Sequence, residues 1–320
     1  MSELRYHPFL DQWVITATHR QDRTFLPPDD YCPLCPTKPG GFPTEIPMPA
    51  YDIVVFENRF PSLQMPAPTA AVPGSEITPV RPSQGVCEVV CYSDNHDATF
   101  ATLPLSQVKK LTRVWKERYE ELGARPEVEY VFIFENKGKE IGVTLSHPHG
   151  QIYAYPFIPP IMRTELESEE RHFQQHGRPL MGDWLEMELS DKSRLVCENE
   201  RFVAIVPFFA RYPYEVHVAP REHLSSLAAM DEFCLDDLAA ILLDVTSRFD
   251  KLFGFSMPYI MHMHQKPTMG GFDYDWFHVE FYPPYRTANK LKYLAGSEAG
   301  AGAFINDTLP EVTAKTLRGL

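Results

Sequence analysis

No stretch of about eighteen apolar residues occurs in this chain, so nothing in it reads as a membrane-spanning helix. The opening Met1-Ser2-Glu3-Leu4-Arg5-Tyr6 has no apolar run behind a charged region, and no signal peptide is expected. Cysteine is sparse, six in 320 residues, and two of the six form a Cys-x-x-Cys pair. That usage fits a reducing cytoplasm and argues against a disulfide scaffold. Basic residues are outnumbered, 30 against 43, giving a net charge of −13, so the broad basic stripe of a nucleic-acid binder is missing. A small phosphorylated substrate is still allowed, because a few local cations can hold it. Glycine is scarcer than proline, 17 against 30, which predicts long, shaped loops. What the chain has in quantity is apolar and aromatic residues, 44% and 12%, at a length that supports one large core or two halves.

The two halves read alike. Val54-Val55-Phe56-Glu57-Asn58-Arg59-Phe60 returns as Val196-Cys197-Glu198-Asn199-Glu200-Arg201-Phe202. A strand-like run over 86–92, followed by His96, is matched by 214–219, followed by His223. Each then gives way to apolar residues stepping by three and four: Val108, Leu111, Trp115, Tyr119 and Leu122 in the first half, Leu238, Leu242, Val245, Phe249 and Leu252 in the second. This spacing predicts amphipathic helices over 103–123 and 231–253. Strand pairs follow, 130–134 with 147–151 and 259–264 with 277–282. Strand-rich halves with one long helix each predict an antiparallel α+β fold. The organisation expected is a first half over 1–163, a charged helix plus turn over 164–194, and a second half over 195–320. The proline-rich run over 61–85 is expected to be a long excursion. Cys87, Cys91, Cys197 and Cys234 read as small buried apolar groups.

The chemistry concentrates in His147-Pro148-His149-Gly150-Gln151. In an extended backbone its two imidazoles and its carboxamide point to one side. Cys32 and Cys35, with His96 and His147, supply two sulfurs and two nitrogens, a set that Zn²⁺ accepts as a closed structural site. The bland alternative is a pair of buried cysteines in the proline-bounded turn Tyr31-Cys32-Pro33-Leu34-Cys35-Pro36. With His147 in the metal set, His149 stands beside it as a candidate nucleophile toward phosphorus, the bland alternative being two histidines satisfied in a core or at a surface turn. Its second ring nitrogen would need a carbonyl to hold its proton, and Gln151 would donate to a phosphate oxygen.

These motifs resemble the galactose-1-phosphate uridylyltransferase family of the histidine-triad superfamily, and the resemblance runs from about residue 5 to about residue 300. It implies duplicated histidine-triad-like halves, with an antiparallel half-barrel sheet and flanking helices. It implies that His149 takes up the uridylyl group, and that Gln151, where the related hydrolases carry histidine, favours transfer. It implies zinc on Cys32, Cys35, His96 and His147. Phe134, Asn136, Lys137, Gly142 and Thr144 match the phosphate and nucleotide wall, Thr144 standing where serine is common. Asn58 and Phe60 match uracil and ribose contacts, with Arg59 in place of an acidic residue. Arg20 and Arg23 match basic groups that reach phosphates; from the residues alone, two cations three apart near an N-terminal strand read equally as solvated surface. Lys292, Tyr293 and Gly296 match a segment lent to the neighbouring site of a homodimer, Glu298 falls where a sugar-hydroxyl contact is expected, and Phe304 stands where glutamine is frequent. A second Zn or Fe site is implied on Glu165, His264, His278 and Glu280, the last in place of a histidine. There the alternative is a Glu–His hydrogen bond without metal. The implied substrates are UDP-glucose and galactose 1-phosphate, without nucleic acid or membrane. Two rivals stay open: a related nucleotidyltransferase or dinucleotide phosphorylase, and a non-enzymatic zinc-stabilised nucleotide-binding protein.

Overall fold

The computed structural model describes residues 2–23 and 31–320, with Asp22 and Arg23 described by backbone alone. The chain runs through β1 (Ser2–His7), β2 (Gln12–Ala17), β3 (Val54–Glu57), β4 (Val80–Pro82), β5 (Val86–Cys91), α1 (Leu105–Gly123), β6 (Tyr130–Lys137) and β7 (His149–Tyr155). Two helices follow, α2 (Pro160–His176) and α3 (Leu180–Asp191). The second half holds β8 (Leu195–Glu198), β9 (Phe202–Ile205), β10 (Val216–Pro220), α4 (Glu232–Phe253), β11 (Tyr259–His264), β12 (His278–Tyr282), β13 (Tyr285–Thr287), β14 (Lys290–Leu291) and α5 (Pro310–Arg318).

Nine strands form one open sheet in the order β3-β5-β7-β6-β11-β12-β10-β9-β8, antiparallel throughout. The halves meet at β6 and β11, where Phe134 opposes His262. About this pair the strand orders β6-β7-β5 and β11-β12-β10 mirror one another, which is the duplication made visible.

Alternation along the strands gives the sheet two unlike faces. Val131, Ile133, Ile152, Ala154, Val216, Val218, Met261, Met263, Val279 and Phe281 point to one side and join the main core with Trp115, Leu238 and Phe249. The helices α1 and α4 cover that side because their apolar stripes fit it. The residues between them, His149, Gln151, His217, His262, His264, His278 and Glu280, point the other way. Above that polar face the first half carries a small sheet, β2-β1-β4, packed through Leu4, Leu63, Cys87 and Tyr153. A separate cluster of Leu34, Ile46, Val89 and Cys91 seats the cysteine loop on β5.

Several expectations change. The excursion over 61–85 contains β4, which pairs with β1 and lays Arg81 over the Trp13 ring at 4.6 Å. A three-residue strand that itself ends in a proline is too short to show a period. The segment over 164–194 holds two helices, the first closed by Gly177 at φ 69° and the second opened after Pro179. The matching heptapeptides also part company. β3 pairs directly with β5, whereas β8 lies one strand further out and Phe202–Ile205 takes the inner place. Pro61 follows Phe60 where Val203 follows Phe202, and a proline cannot donate to a ladder. Cys87, Cys91 and Cys234 are buried, but Cys197 is only half-buried because β8 is a sheet edge. Among the described residues no helix is long and apolar enough to cross a membrane.

Gly150 lies on the core side of β7, and a Cβ there would overlap the hydroxyl of Tyr92 and lie 3.1 Å from the Phe134 carbonyl oxygen. Tyr92 is fully buried against Phe100 and Trp115 and cannot swing away. Gly150→Ala should therefore cost about 1–3 kcal/mol of stability, read as a lower urea midpoint.

Candidate active site

β7 is paired on both edges, with His149 opposite Cys91 of β5 and Gln151 opposite Phe134 of β6. His149 Nδ1 lies 2.8 Å from the His147 carbonyl oxygen. A carbonyl can only accept, so Nδ1 carries the proton and Nε2 is the basic nitrogen of the ring. Gln151 Oε1 accepts from Asn58 Nδ2 and from the Tyr153 hydroxyl, each at 3.4 Å, which leaves the amide nitrogen as its donor. Asn58 is set by its own turn, Oδ1 accepting the Phe60 N–H at 2.9 Å. The Arg20 guanidinium donates to Ser62 Oγ at 2.8 Å and to Tyr153 Oη at 3.2 Å, one residue removed from Gln151 in this chain of contacts.

A cavity of about 530 Å³ opens over this face. His149, Gln151, Asn58, Asn136 and Thr144 give it hydrogen-bonding groups, and Leu34, Phe56, Phe60 and Val89 give it apolar walls. That size and mixture suit a small organic ligand with a polar end. Gly142 also lines it, in the left-handed region at φ 85°, where a side chain would be strained. Phe134 lies just behind, its ring 5.1 Å from that of Tyr153.

Not every expected residue arrives. Lys137 sits on the core side of β6, its ammonium 3.0 Å from Asp250 and over the Tyr259 ring, so alternation sends it away from the cavity. Lys292 is buried in an ion pair with Glu298 at 3.4 Å, and Tyr293 and Gly296 are exposed on the same loop; none of the four lines the cavity of their own chain. Phe304 packs against Arg211 and Tyr212. The side chain of Arg23 lies outside the described residues.

Beside His149 a second constellation forms. Single donor atoms of Cys32, Cys35, His96 and His147 all lie within 4.8 Å of one another, so the group can hold a metal ion. His147 Nε2 is 2.8 Å from the Ser93 carbonyl oxygen and donates to it, which turns Nδ1 toward Cys35 Sγ. Burial pushes the pKa of His147 down to about 4, so at neutral pH the ring is uncharged, as a ligand must be. Burial, with Cys32 alongside, pushes Cys35 up to about 11, so a bound cation must release a thiol proton. The Tyr51 hydroxyl, 2.6 Å from His147 Nε2 and 3.0 Å from the Leu34 carbonyl, ties ligand and loop together. Nothing in the spacing around Tyr51 pointed to this.

Models of the N-terminal and C-terminal domains of galactose-1-phosphate uridyl transferase match residues 1–159 and 165–320. The chain belongs to the galactose-1-phosphate uridylyltransferase family. It is 42% identical to the enzyme of that name from Thermotoga maritima over 324 residues, covering 99% of this chain and 98% of the other. The Rattus norvegicus enzyme is 34% identical over 336 residues, covering 99% and 87%. A solved uridylyltransferase structure superposes with a TM-score of 0.89 at 34% identity, covering 99% of this chain and 97% of that one.

Within this uridylyltransferase-family chain the second half has its own polar cluster. Glu280 opposes His262 and His217, as Gln151 opposes Phe134 and Val89, so His278-x-Glu280 occupies the place that His149-x-Gln151 holds in the first half. Glu165 reaches in from α2, and donor atoms of Glu165, His264, His278 and Glu280 again lie within 4.8 Å, able to hold an ion. His264 Nδ1 is 2.7 Å from Glu165, a hydrogen bond, while His278 Nε2 stands 3.5 Å from Glu280. Burial opposes charge on His278, but Glu280 outweighs it and holds its pKa up to about 10. A cation entering here would displace that proton. Glu280 also meets His217 at 3.2 Å and the Tyr282 hydroxyl, contacts that no spacing rule announced.

His147 supplies a pH test. After chelation of the metal, the unfolded chain takes up a proton near the ordinary 6.5, whereas the folded ring resists until about 4. Stability should therefore fall as the pH drops from about 6.5 to about 4, and His147→Gln should flatten that part of a plot of urea midpoint against pH.

Proposed function

We propose that this chain exchanges a uridylyl group between UDP-glucose and galactose 1-phosphate through a covalent intermediate on His149. One observation carries the reading: the Nδ1 proton of His149 is committed to the His147 carbonyl beside Gln151, in a cavity of nucleotide size. In the first half-reaction Nε2 attacks the α-phosphorus of UDP-glucose. A bond from Nε2 to phosphorus forms, the phosphorus–oxygen bond to glucose 1-phosphate breaks, and that oxygen keeps the electron pair. The ring now bears positive charge, which the Nδ1–H contact to a carbonyl disperses. The Gln151 amide nitrogen donates to a non-bridging oxygen, and Asn136 and Thr144, which line the same cavity, do likewise in this reading. In the second half-reaction a phosphate oxygen of galactose 1-phosphate attacks the same phosphorus, and the nitrogen takes its electron pair back. No proton is gained or lost over the cycle, and one sugar-phosphate site serves both steps.

The cysteine–histidine group is read as structural zinc. Zn–S and Zn–N lengths of about 2.3 and 2.0 Å at a tetrahedral angle separate sulfur from nitrogen by about 3.5 Å. Cys35 Sγ lies 3.4 Å from His96 Nδ1 and 3.6 Å from His147 Nδ1. A second zinc or iron ion is assigned to Glu165, His264, His278 and Glu280, again away from the reacting atoms. A homodimer follows in this reading, in which the exposed loop of Tyr293 and Gly296, braced by the buried Lys292–Glu298 ion pair, completes the partner's sugar-phosphate site.

Incubation with UDP-glucose alone should add one uridylyl mass to the intact protein, discharged by galactose 1-phosphate. His149→Ala should abolish the adduct and lower both half-reactions by more than about a thousandfold with metal content unchanged. An adduct formed only with an ADP-linked donor would move the substrate class; no adduct at all would sink the nucleophile. Shared sites make a second prediction. Mixing His149→Ala chains with Lys292→Ala chains, each inactive alone, should recover about a quarter of wild-type activity, because half the dimers then carry one intact site.

A further inference from the structure

Glu45 is the one carboxylate among the described residues lining the cavity. It projects from the cysteine loop, which holds it firmly. Its N–H donates to the Pro33 carbonyl at 3.0 Å, neighbouring Ile46 is buried in the cluster on β5, and the Thr44 hydroxyl donates to the Cys35 carbonyl at 2.6 Å. Arg59 pins the carboxylate through Oε1 at 3.0 Å. Arg59 is itself exposed over most of its side chain, with its guanidinium 5.7 Å from the Phe60 ring centre.

A carboxylate is a poor neighbour for a diphosphate, since like charges repel in a partly dry pocket. Glu45 must therefore face an uncharged, hydrogen-bond-donating part of the ligand. It is tied by Arg59 to the segment of Asn58 and Phe60, beside the apolar walls of Phe56, Leu34 and Val89, which suit a flat base. Next to a base comes its ribose, whose vicinal hydroxyls are a paired donor that a carboxylate accepts with oxygen to spare. We infer that Glu45 receives the ribose hydroxyls of the bound nucleotide, with Arg59 as its positioning residue. The basic residue at 59 and the acidic residue at 45 thus act as one device, and the chain selects ribonucleotide donors over 2′-deoxy donors through it.

This inference rests on the proposed uridylyl transfer, and the experiment separates the two. Adduct formation is timed with UDP-glucose and with 2′-deoxy-UDP-glucose, in wild type and in Glu45→Gln. Wild type should favour the ribo donor by about tenfold or more. Glu45→Gln should lose about tenfold with the ribo donor, mainly in KM, and less than about threefold with the deoxy donor. Zinc content and melting temperature should stay as in wild type. An unchanged preference, or an equal loss with both donors, overturns the assignment and leaves Glu45 a structural partner of Arg59. If wild type forms no adduct, the transfer reading fails on its own. Calorimetric binding of uridine and 2′-deoxyuridine to the same two proteins then decides Glu45 by the same ratio.

Discussion

β7 is hydrogen-bonded along both edges, to β5 on one side and to β6 on the other. A strand so held cannot slip by one residue without sending every side chain to the opposite face. The rest of the molecule follows from that constraint. Ile152 and Ala154 enter the core under α1 and α4, and so His149 and Gln151 must face the cavity. Because the strand cannot move, the His149 ring needs only one further restraint. The carbonyl two residues back supplies it by taking the Nδ1 proton.

The same alternation produced two different outcomes from one duplicated plan. In the first half the polar face opens to a cavity with a neutral amide, Gln151, beside the His149 imidazole. In the second half the corresponding amide place holds Glu280, enclosed by His217, His262, His264 and His278. A buried carboxylate among imidazoles locks charge in place and offers ion ligands, but it would repel a phosphate. One half is therefore suited to chemistry on an anion and the other to holding structure.

Much of this could be read from the residues because the physical signals were local. The stripes through Trp115 and Leu242 marked α1 and α4, and alternation in 147–151 put three groups on one side. The resemblance then named the four-ligand set that the structure gathers within 4.8 Å. What escaped notice depended on distant partners. Lys137 shares its block with Asn136, yet only the sheet's two faces decide that it meets Asp250 instead of the cavity. Tyr51 carries no spacing signal, since its contact arises where its loop meets Ser93, 42 residues away. Proline 61 was visible, but that it would send the matched heptapeptides to different sheet positions was not.

The cysteine loop differs from every other wall of the cavity in how it is attached. The sheet builds itself from backbone pairing, whereas residues 31–46, closed on themselves by a bridge between Pro36 and Ile46, lie on it through a small apolar cluster and the group that can hold an ion. An ion bound by that group would add its binding free energy to the seating of this wall, so the wall's grip on the sheet would follow the ion's concentration. A cell starved of that ion would accumulate folded chains with an unfinished pocket. Its working catalyst would then be set by mineral supply as much as by synthesis.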